Sequence, residues 1–330
     1  MLSTLQEFFG CFVGANVYLT PPGSQGFAPH YDDIEAFVLQ LEGRKRWRLY
    51  EPRAPNEVLP RFSSKNFEQS DLGECILDTV LEPGDVLYFP RGIIHQAVTE
   101  EETHSLHITV STYQKTSWAD LFEKMIPQTL AAVIEDGEEF RRGLPIGYLN
   151  HLGIGNQDIV SDQRASFLKT VSSLFDKMKE SALVDGSVDQ MSKDFLHDSL
   201  PPFVNEELQR RCCRGAGEHW RADEDRVGGV VELEPETAVK LLTKKSLRIL
   251  MENETVWVFY ATENLRTWHK RDPMCFQIQA DQAENVEALI HAYPGFVKID
   301  GLPAGTQEEK VREGVNTCVE LGFFVVGYTC

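Results

Sequence analysis

The sequence predicts a mainly β barrel or sandwich, followed by a helical stretch and a small mixed α+β module. Three observations carry this expectation. Short apolar runs alternate with turn residues up to about Tyr113, helical spacing takes over from Trp118, and Pro201-Pro202 marks a boundary beyond which strand pairs return. Many short strands with turn signals between them indicate a closed or two-layer β fold.

Taken in order, Met1 to Val13 is apolar around Phe8, Phe9, Cys11, Phe12 and Val13 without a basic flank. It is expected to be the end of a buried helix whose upstream structure is missing, and not a signal peptide. Asn16–Thr20 is a strand running into Pro21-Pro22-Gly23-Ser24, and Ala36–Leu41 is an apolar run ending at Glu42-Gly43. In Arg46–Tyr50, Trp47 and Leu49 alternate with Arg46 and Arg48, while 51–74 is rich in Pro, Asn and Ser and reads as a long loop. Ile76–Leu81 leads into Glu82-Pro83-Gly84-Asp85, a turn in which Pro presets one backbone angle and Gly tolerates a positive one. Val86–Phe89 reads as a short buried strand stopped by Pro90-Arg91-Gly92, and His104–Tyr113 alternates Leu106, Ile108 and Val110 with His107, Thr109 and Ser111.

From Trp118 to Leu200, Phe167, Leu168, Val171, Leu174, Phe175 and Met178 fall on one helical face. Leu121, Phe122, Met125, Ile126, Leu130, Val133 and Ile134 do so less cleanly around Pro127. Such faces cover either an intra-chain core or a dimer interface, and both readings stand. Beyond Pro202 come a polar stretch (205–226), a helix-like segment around Glu236–Leu242, a strand pair Leu247–Met251 and Thr255–Tyr260, and a helix over Ala283–Ala292. This composition is winged-helix-like. Residues 201–330 carry 15 basic and 21 acidic side chains, a net −6, the wrong sign for phosphate binding. The expected domains are 1–118, 119–200 and 201–330.

The whole chain has a net charge of −19, which argues against broad nucleic-acid binding and would suit a basic protein partner. No apolar run is long enough for a transmembrane helix. Seven scattered cysteines without a C-x-x-C pair favour a reducing, intracellular setting.

The chemistry resides in His30 and Asp32, spaced to share one side of an extended segment, and in His95, 63 positions after His30. Two imidazoles and one carboxylate hold non-haem Fe(II) with coordination positions left open. Zinc is the rival, but zinc hydrolases commonly use a helical H-E-x-x-H, and none is present. A hydrogen-bonded core histidine beside a turn aspartate is the bland alternative. Lys45 shares a strand face with Trp47, so its ammonium either snorkels to solvent or meets a carboxylate such as that of a dicarboxylic cosubstrate.

At this point the residues resemble a known family. Ala15 to Pro22, Gly26-Phe27-Ala28-Pro29-His30-Tyr31-Asp32-Asp33, Gln40 to Trp47 and Pro83 to Gly92 are similar to the Jumonji C ribosomal oxygenases. Glu139 to Pro145 and Lys193 to Pro202 favour the branch of bifunctional lysine-specific demethylases and histidyl-hydroxylases. The resemblance implies a double-stranded β-helix (jelly-roll, cupin-like) JmjC domain, an α-helical dimerisation region and an α+β winged-helix-like domain. It implies Fe(II) on His30, Asp32 and His95, 2-oxoglutarate with its distal carboxylate on Lys45 and beside Asn16, and O2 as oxidant. Tyr18 and Ser111 become substrate contacts, no catalytic residue is expected beyond the metal site, and His107 is left out of the ligand set. The implied substrates are a ribosomal protein histidine and methylated histone H3 lysines. The implied setting is nuclear, in nucleolus and nucleoplasm, with a homodimer formed through the helices.

Two other readings remain open on the sequence. One is a cupin-type metal enzyme on a small molecule. The other is a non-catalytic chromatin or pre-ribosome scaffold dimer. The resemblance also implies further strands and helices ahead of the first barrel strand, which here begins about a dozen residues into the sequence.

Overall fold

A computed structural model describes residues 1–205, 219–221, 226–228, 234–262, 272–306 and 324–327. It divides into two compact units, one of residues 1–117 with 193–330 and one of residues 118–192.

The first unit opens with α1 (Leu2–Phe9), closed by Gly10 in the left-handed conformation. Its strands are β1 (Gly14–Thr20), β2 (Glu35–Gly43), β3 (Lys45–Tyr50), β4 (Cys75–Leu81), β5 (Val86–Phe89), β6 (Ile94–Thr99) and β7 (Ser105–Thr112). They form two antiparallel sheets, ordered β1-β7-β2-β5 and β4-β3-β6. Ala36, Val38 and Phe89 from the first sheet pack with Trp47, Leu49 and Leu81 from the second. This is a double-stranded β-helix: two twisted sheets whose inner faces make one core.

Side-chain alternation decides what faces inward. Cross-strand partners Ala36 and Ser111, Val38 and Thr109, and Gln40 and His107 share the inner face of the first sheet. The polar side of β7 therefore points into the barrel, and Leu106, Ile108 and Val110 point out. Gly43 makes the sharp β2–β3 corner at φ 63°, where an added Cβ would lie 1.7 Å from the His104 carbonyl oxygen.

Four expectations need correction. The strand β6 carrying His95 is an addition to the sequence reading. Val86–Phe89 is not buried but an edge strand, with Val86 62% and Tyr88 51% exposed, because only Leu87 and Phe89 face the core. The amino-terminal helix exists but is only partly buried: Gln6 is buried and Phe9 packs across to Phe37 and Tyr113, while Phe8 is exposed. The segment around Glu236–Leu242 is a strand, since Val239 and Leu241 alternate into a core.

The rest of the first unit contains β8 (His219–Arg221), β9 (Arg226–Gly228), β10 (Ala238–Leu241), β11 (Leu247–Glu252), β12 (Thr255–Tyr260), β13 (Cys275–Ile278), β14 (Val297–Lys298) and β15 (Phe324–Gly327). The β11–β12 hairpin turns at Asn253 and Glu254, both with positive φ, as a tight two-residue hairpin requires. A helix, Ala280–Ala292, places Val286 and Leu289 against Val239, Leu241, Leu247, Val258, Ile299 and Leu302. The polar stretch 205–226 lies mostly outside the described residues, as do Cys212, Cys213, Cys318 and Cys330.

The second unit is helical, with α2 (Trp118–Asp136), α3 (Glu138–Arg141), α4 (Asp162–Glu180) and the start of α5 (Val184–Asp198). Helix α2 continues through Pro127, and α4 is capped by Ser161, whose hydroxyl accepts from the Arg164 N–H. Helix α4 buries none of its residues within this chain, and Phe175 is 65% exposed. No helix among the described residues is long and apolar enough to cross a membrane.

Candidate metal centre

Backbone pairing brings the distant residues of the H-x-D and His95 together. His30 and His95 form an isolated antiparallel bridge, each N–H donating to the other's carbonyl, at 3.3 Å from His30 and 2.9 Å from His95. The segment before β2 thereby joins the edge of the second sheet. Asp32 follows two residues on, and its carbonyl accepts from the Gly92 N–H at 3.1 Å.

The candidate ligand atoms of His30, Asp32 and His95 all lie within 4.8 Å of one another. Each histidine Nε2 is 3.7 Å from an Asp32 oxygen. The His30 Nδ1 lies 2.8 Å from the Ala28 carbonyl and the His95 Nδ1 lies 3.1 Å from that of Ile93. An Nδ1–H donated to a carbonyl leaves the Nε2 lone pair free, the tautomer a metal needs. Burial, and then the charge of His30, hold the His95 pKa below the usual imidazole range against the opposing pull of Asp32. A neutral imidazole is the ligating form. This donor set fits a non-haem ferrous ion with open positions.

Lys45 projects inward beside Trp47, its ammonium 5.9 Å from the ring centroid. It is 5% exposed, so it does not snorkel, and its Nζ donates to Thr20 Oγ1 at 2.9 Å. Burial pushes its pKa down to about 8. An ammonium held in such surroundings by one hydroxyl is short of an anionic partner. Nearby, Trp47 Nε1 and His107 Nδ1 are buried with no hydrogen-bond partner among the described residues. Gln40 Oε1, opposite His107 on the same inner face, is likewise without a partner, so the interior holds both donors and acceptors that a polar ligand could engage.

Other sequence candidates line the same inner face at different depths. Tyr18 stacks on His107 with ring centroids 4.9 Å apart. Asn16 is exposed and pairs in register with Thr109. Ser111 lies opposite Gly14, roughly 13 Å along β1 from Tyr18 at the usual strand rise, so the two do not meet. Sequence reasoning passed over Thr20 and left His107 out. The period-two pattern of β1 would have put Thr20 on the face of Tyr18, and His107 alternates with Thr109 and Ser111. Burial and the Lys45 charge push His107 down to about 4.

A β-helix with an inward 2-His-1-carboxylate cluster defines a JmjC-type, cupin-fold metal site. The JmjC domain family matches residues 1–121, and the family described as "Ribosomal oxygenase 1, C-terminal winged helix domain" matches residues 200–317. Ribosomal oxygenase 1 of Danio rerio is 47% identical over 311 residues, covering 94% of this chain and 57% of the relative. Its human counterpart is 46% identical over 310 residues, covering 94% and 48%. The "Bifunctional lysine-specific demethylase and histidyl-hydroxylase NO66" of Culex quinquefasciatus is 47% identical over 312 residues, covering 93% and 47%. A solved Escherichia coli ribosomal oxygenase, YcfD, shares 15% identity and a TM-score of 0.41 over 99% of this chain and 75% of its own. The chain spans about half the length of the curated relatives it matches. Its amino-terminal part matches the JmjC domain family, and over most of its length it is similar to the ribosomal oxygenases.

Proposed function

We propose that this chain is an Fe(II)- and 2-oxoglutarate-dependent protein oxygenase. One observation carries the reading: two imidazoles and a carboxylate converge within 4.8 Å in a barrel whose interior also holds a buried, under-partnered ammonium. Bound iron would supply O2 activation coupled to decarboxylation of 2-oxoglutarate to succinate and CO2, with the second oxygen atom inserted into a substrate C–H bond.

In this reading His30, Asp32 and His95 hold the metal, Lys45 binds the distal carboxylate of the cosubstrate, and Asn16 forms part of its wall. Tyr18 and Ser111 contact the substrate. On a histidine side chain of a ribosomal protein, hydroxylation gives a stable hydroxyhistidine. On an N-methyl lysine of histone H3, the hydroxylated carbon leaves as formaldehyde and the amine is demethylated. The names of the relatives cover both outcomes. The domains in this reading are 1–118, 119–200 and 201–330. The helical region pairs two copies, supported by an α4 that buries none of its residues within the chain and leaves Leu168 and Phe175 exposed. The net −6 of the last domain disfavours nucleic acid as its partner. The expected setting is nuclear, in nucleolus and nucleoplasm.

The test is conversion of 2-oxoglutarate to succinate with Fe(II), stimulated by a histidine-containing ribosomal peptide or a methyl-lysine histone H3 peptide. Loss of turnover in His30→Ala is the expected result. Undiminished turnover in that variant would remove the reading.

A further inference from the structure

Segment 51–74, a loop by composition, folds back onto the piece of chain that carries two of the three candidate ligands. Ser64 grips Tyr31 at both ends. The Tyr31 N–H donates to Ser64 Oγ at 2.9 Å, and the Ser64 N–H donates to the Tyr31 carbonyl at 2.9 Å, with Ser64 Oγ also 3.4 Å from that carbonyl. On either side, the Phe67 N–H donates to the Pro29 carbonyl at 2.8 Å, and Ser63 Oγ accepts from the Asp33 N–H at 3.2 Å and donates to Asp33 Oδ1 at 2.8 Å.

Tyr31 stands between His30 and Asp32, so its N–H and its carbonyl belong to the two peptide planes that link those residues. A peptide plane is rigid, and only the torsions between planes are soft. Fixing both planes sets the Tyr31 torsions and so the relative placement of the His30 and Asp32 Cα atoms, and the next planes outward are held by the His30 N–H on the His95 carbonyl and by the Gly92 N–H on the Asp32 carbonyl. The opposite edge of the segment is held by the His30–His95 bridge. The strap is itself anchored: Gln69 donates to Gln96 at 2.7 Å, Gln96 donates to the Tyr50 hydroxyl, and the Arg53 guanidinium lies 3.9 Å from the Phe67 ring centroid while paired with Glu57.

We propose that Ser64 is a positioning residue for the metal centre: its hydroxyl sets the angle between the His30 and Asp32 ligands without touching the metal. The proposal rests on the metal-site reading above. Partners outside the ligand set that orient ligands typically change metal affinity 10- to 100-fold when removed. In Ser64→Ala the Tyr31 N–H loses its acceptor while the backbone half of the grip remains.

The experiment is calorimetric titration of the full chain with Mn(II), and with Co(II) while recording the visible absorption of the bound cobalt. Asp32→Ala, Ser64→Ala and Ser64→Thr are compared with the unaltered chain, and melting of each metal-free protein shows that it is folded. The expected result is a roughly 10- to 100-fold loss of affinity and an altered cobalt spectrum in Ser64→Ala, both restored in Ser64→Thr. If Ser64→Ala does not fold, Ser64→Cys, a poorer acceptor of similar size, takes its place. Unchanged affinity and spectrum in the hydroxyl-free variant, with binding lost in Asp32→Ala, would overturn the Ser64 role alone. Absence of metal binding by the unaltered chain, or binding indifferent to Asp32→Ala, would overturn the site reading and the role together.

Discussion

Replacing Lys45 with methionine should make the protein more stable and a worse binder of its cosubstrate. Burial lowers the Lys45 pKa from 10.5 to about 8. Between those values the unfolded chain binds more protons than the folded one, so stability rises with pH across that window. The cost is fully present below about pH 8. At about 1.4 kcal/mol per pH unit the gap amounts to about 3 kcal/mol, and residual access of water to the ammonium reduces it to about 1–3 kcal/mol. Methionine keeps the apolar stem, drops the charge and forfeits only the hydrogen bond to Thr20. Lys45→Met should therefore melt several degrees higher at pH 7, and the difference should shrink towards pH 10. The binding side runs the other way: loss of one partner of a buried, hydrogen-bonded charge pair costs about 2–5 kcal/mol. Calorimetric titration with 2-oxoglutarate on the Mn(II)-loaded protein should show at least a thirtyfold loss. For the unaltered chain, affinity should fall about tenfold per pH unit above the lysine pKa. A Lys45→Met protein that is less stable at pH 7 yet binds 2-oxoglutarate normally would refute this account of a destabilised anchor.

Two further outcomes test the scaffold around the site. Gly92 sits at φ 91° with its N–H on the Asp32 carbonyl, and an added Cβ would come 2.3 Å from the Glu57 carbonyl oxygen. Gly92→Ala should cost at least about 1–3 kcal/mol of stability in denaturant melts and weaken metal binding, because the strain falls on the ligand segment. By contrast, Arg46→Ala removes a surface pair with Asp78 in which both side chains are partly exposed, and urea melts should show a midpoint close to that of the unaltered chain.

The sequence carried the site more clearly than it carried the sheets around it. His30, Asp32, His95 and Lys45 were legible because their chemistry is unusual for their surroundings and because period-two alternation placed Lys45 beside Trp47. The strands β1 to β5 and β7 were legible from apolar runs and from turns such as Pro83-Gly84. Strand β6 was not, because Ile94–Thr99 mixes His95, Gln96 and Thr99 among its apolar residues: His95 and Thr99 face a polar interior, while Gln96, on the opposite face, is covered by Gln69 of segment 51–74. The same polarity makes β7 point His107, Thr109 and Ser111 inward, the reverse of a water-facing amphipathic strand. Around Glu236–Leu242, apolar residues match both periods over so short a span, and packing of Val239 and Leu241 against the neighbouring helix decides for strand. The role proposed for 51–74 was invisible because it rests on hydrogen bonds from Ser63, Ser64 and the backbone to a segment some thirty positions away, which composition does not encode.

The central claim is that His30, Asp32 and His95 hold one ferrous ion in a site that also takes 2-oxoglutarate. Anaerobic titration with Fe(II), followed by 2-oxoglutarate, tests it through the visible charge-transfer band of a chelated ferrous keto acid. The account predicts one iron per chain and a band that Asp32→Ala abolishes and Lys45→Met shifts to higher cosubstrate concentration. No stoichiometric iron binding, or a band that survives in Asp32→Ala, would contradict it.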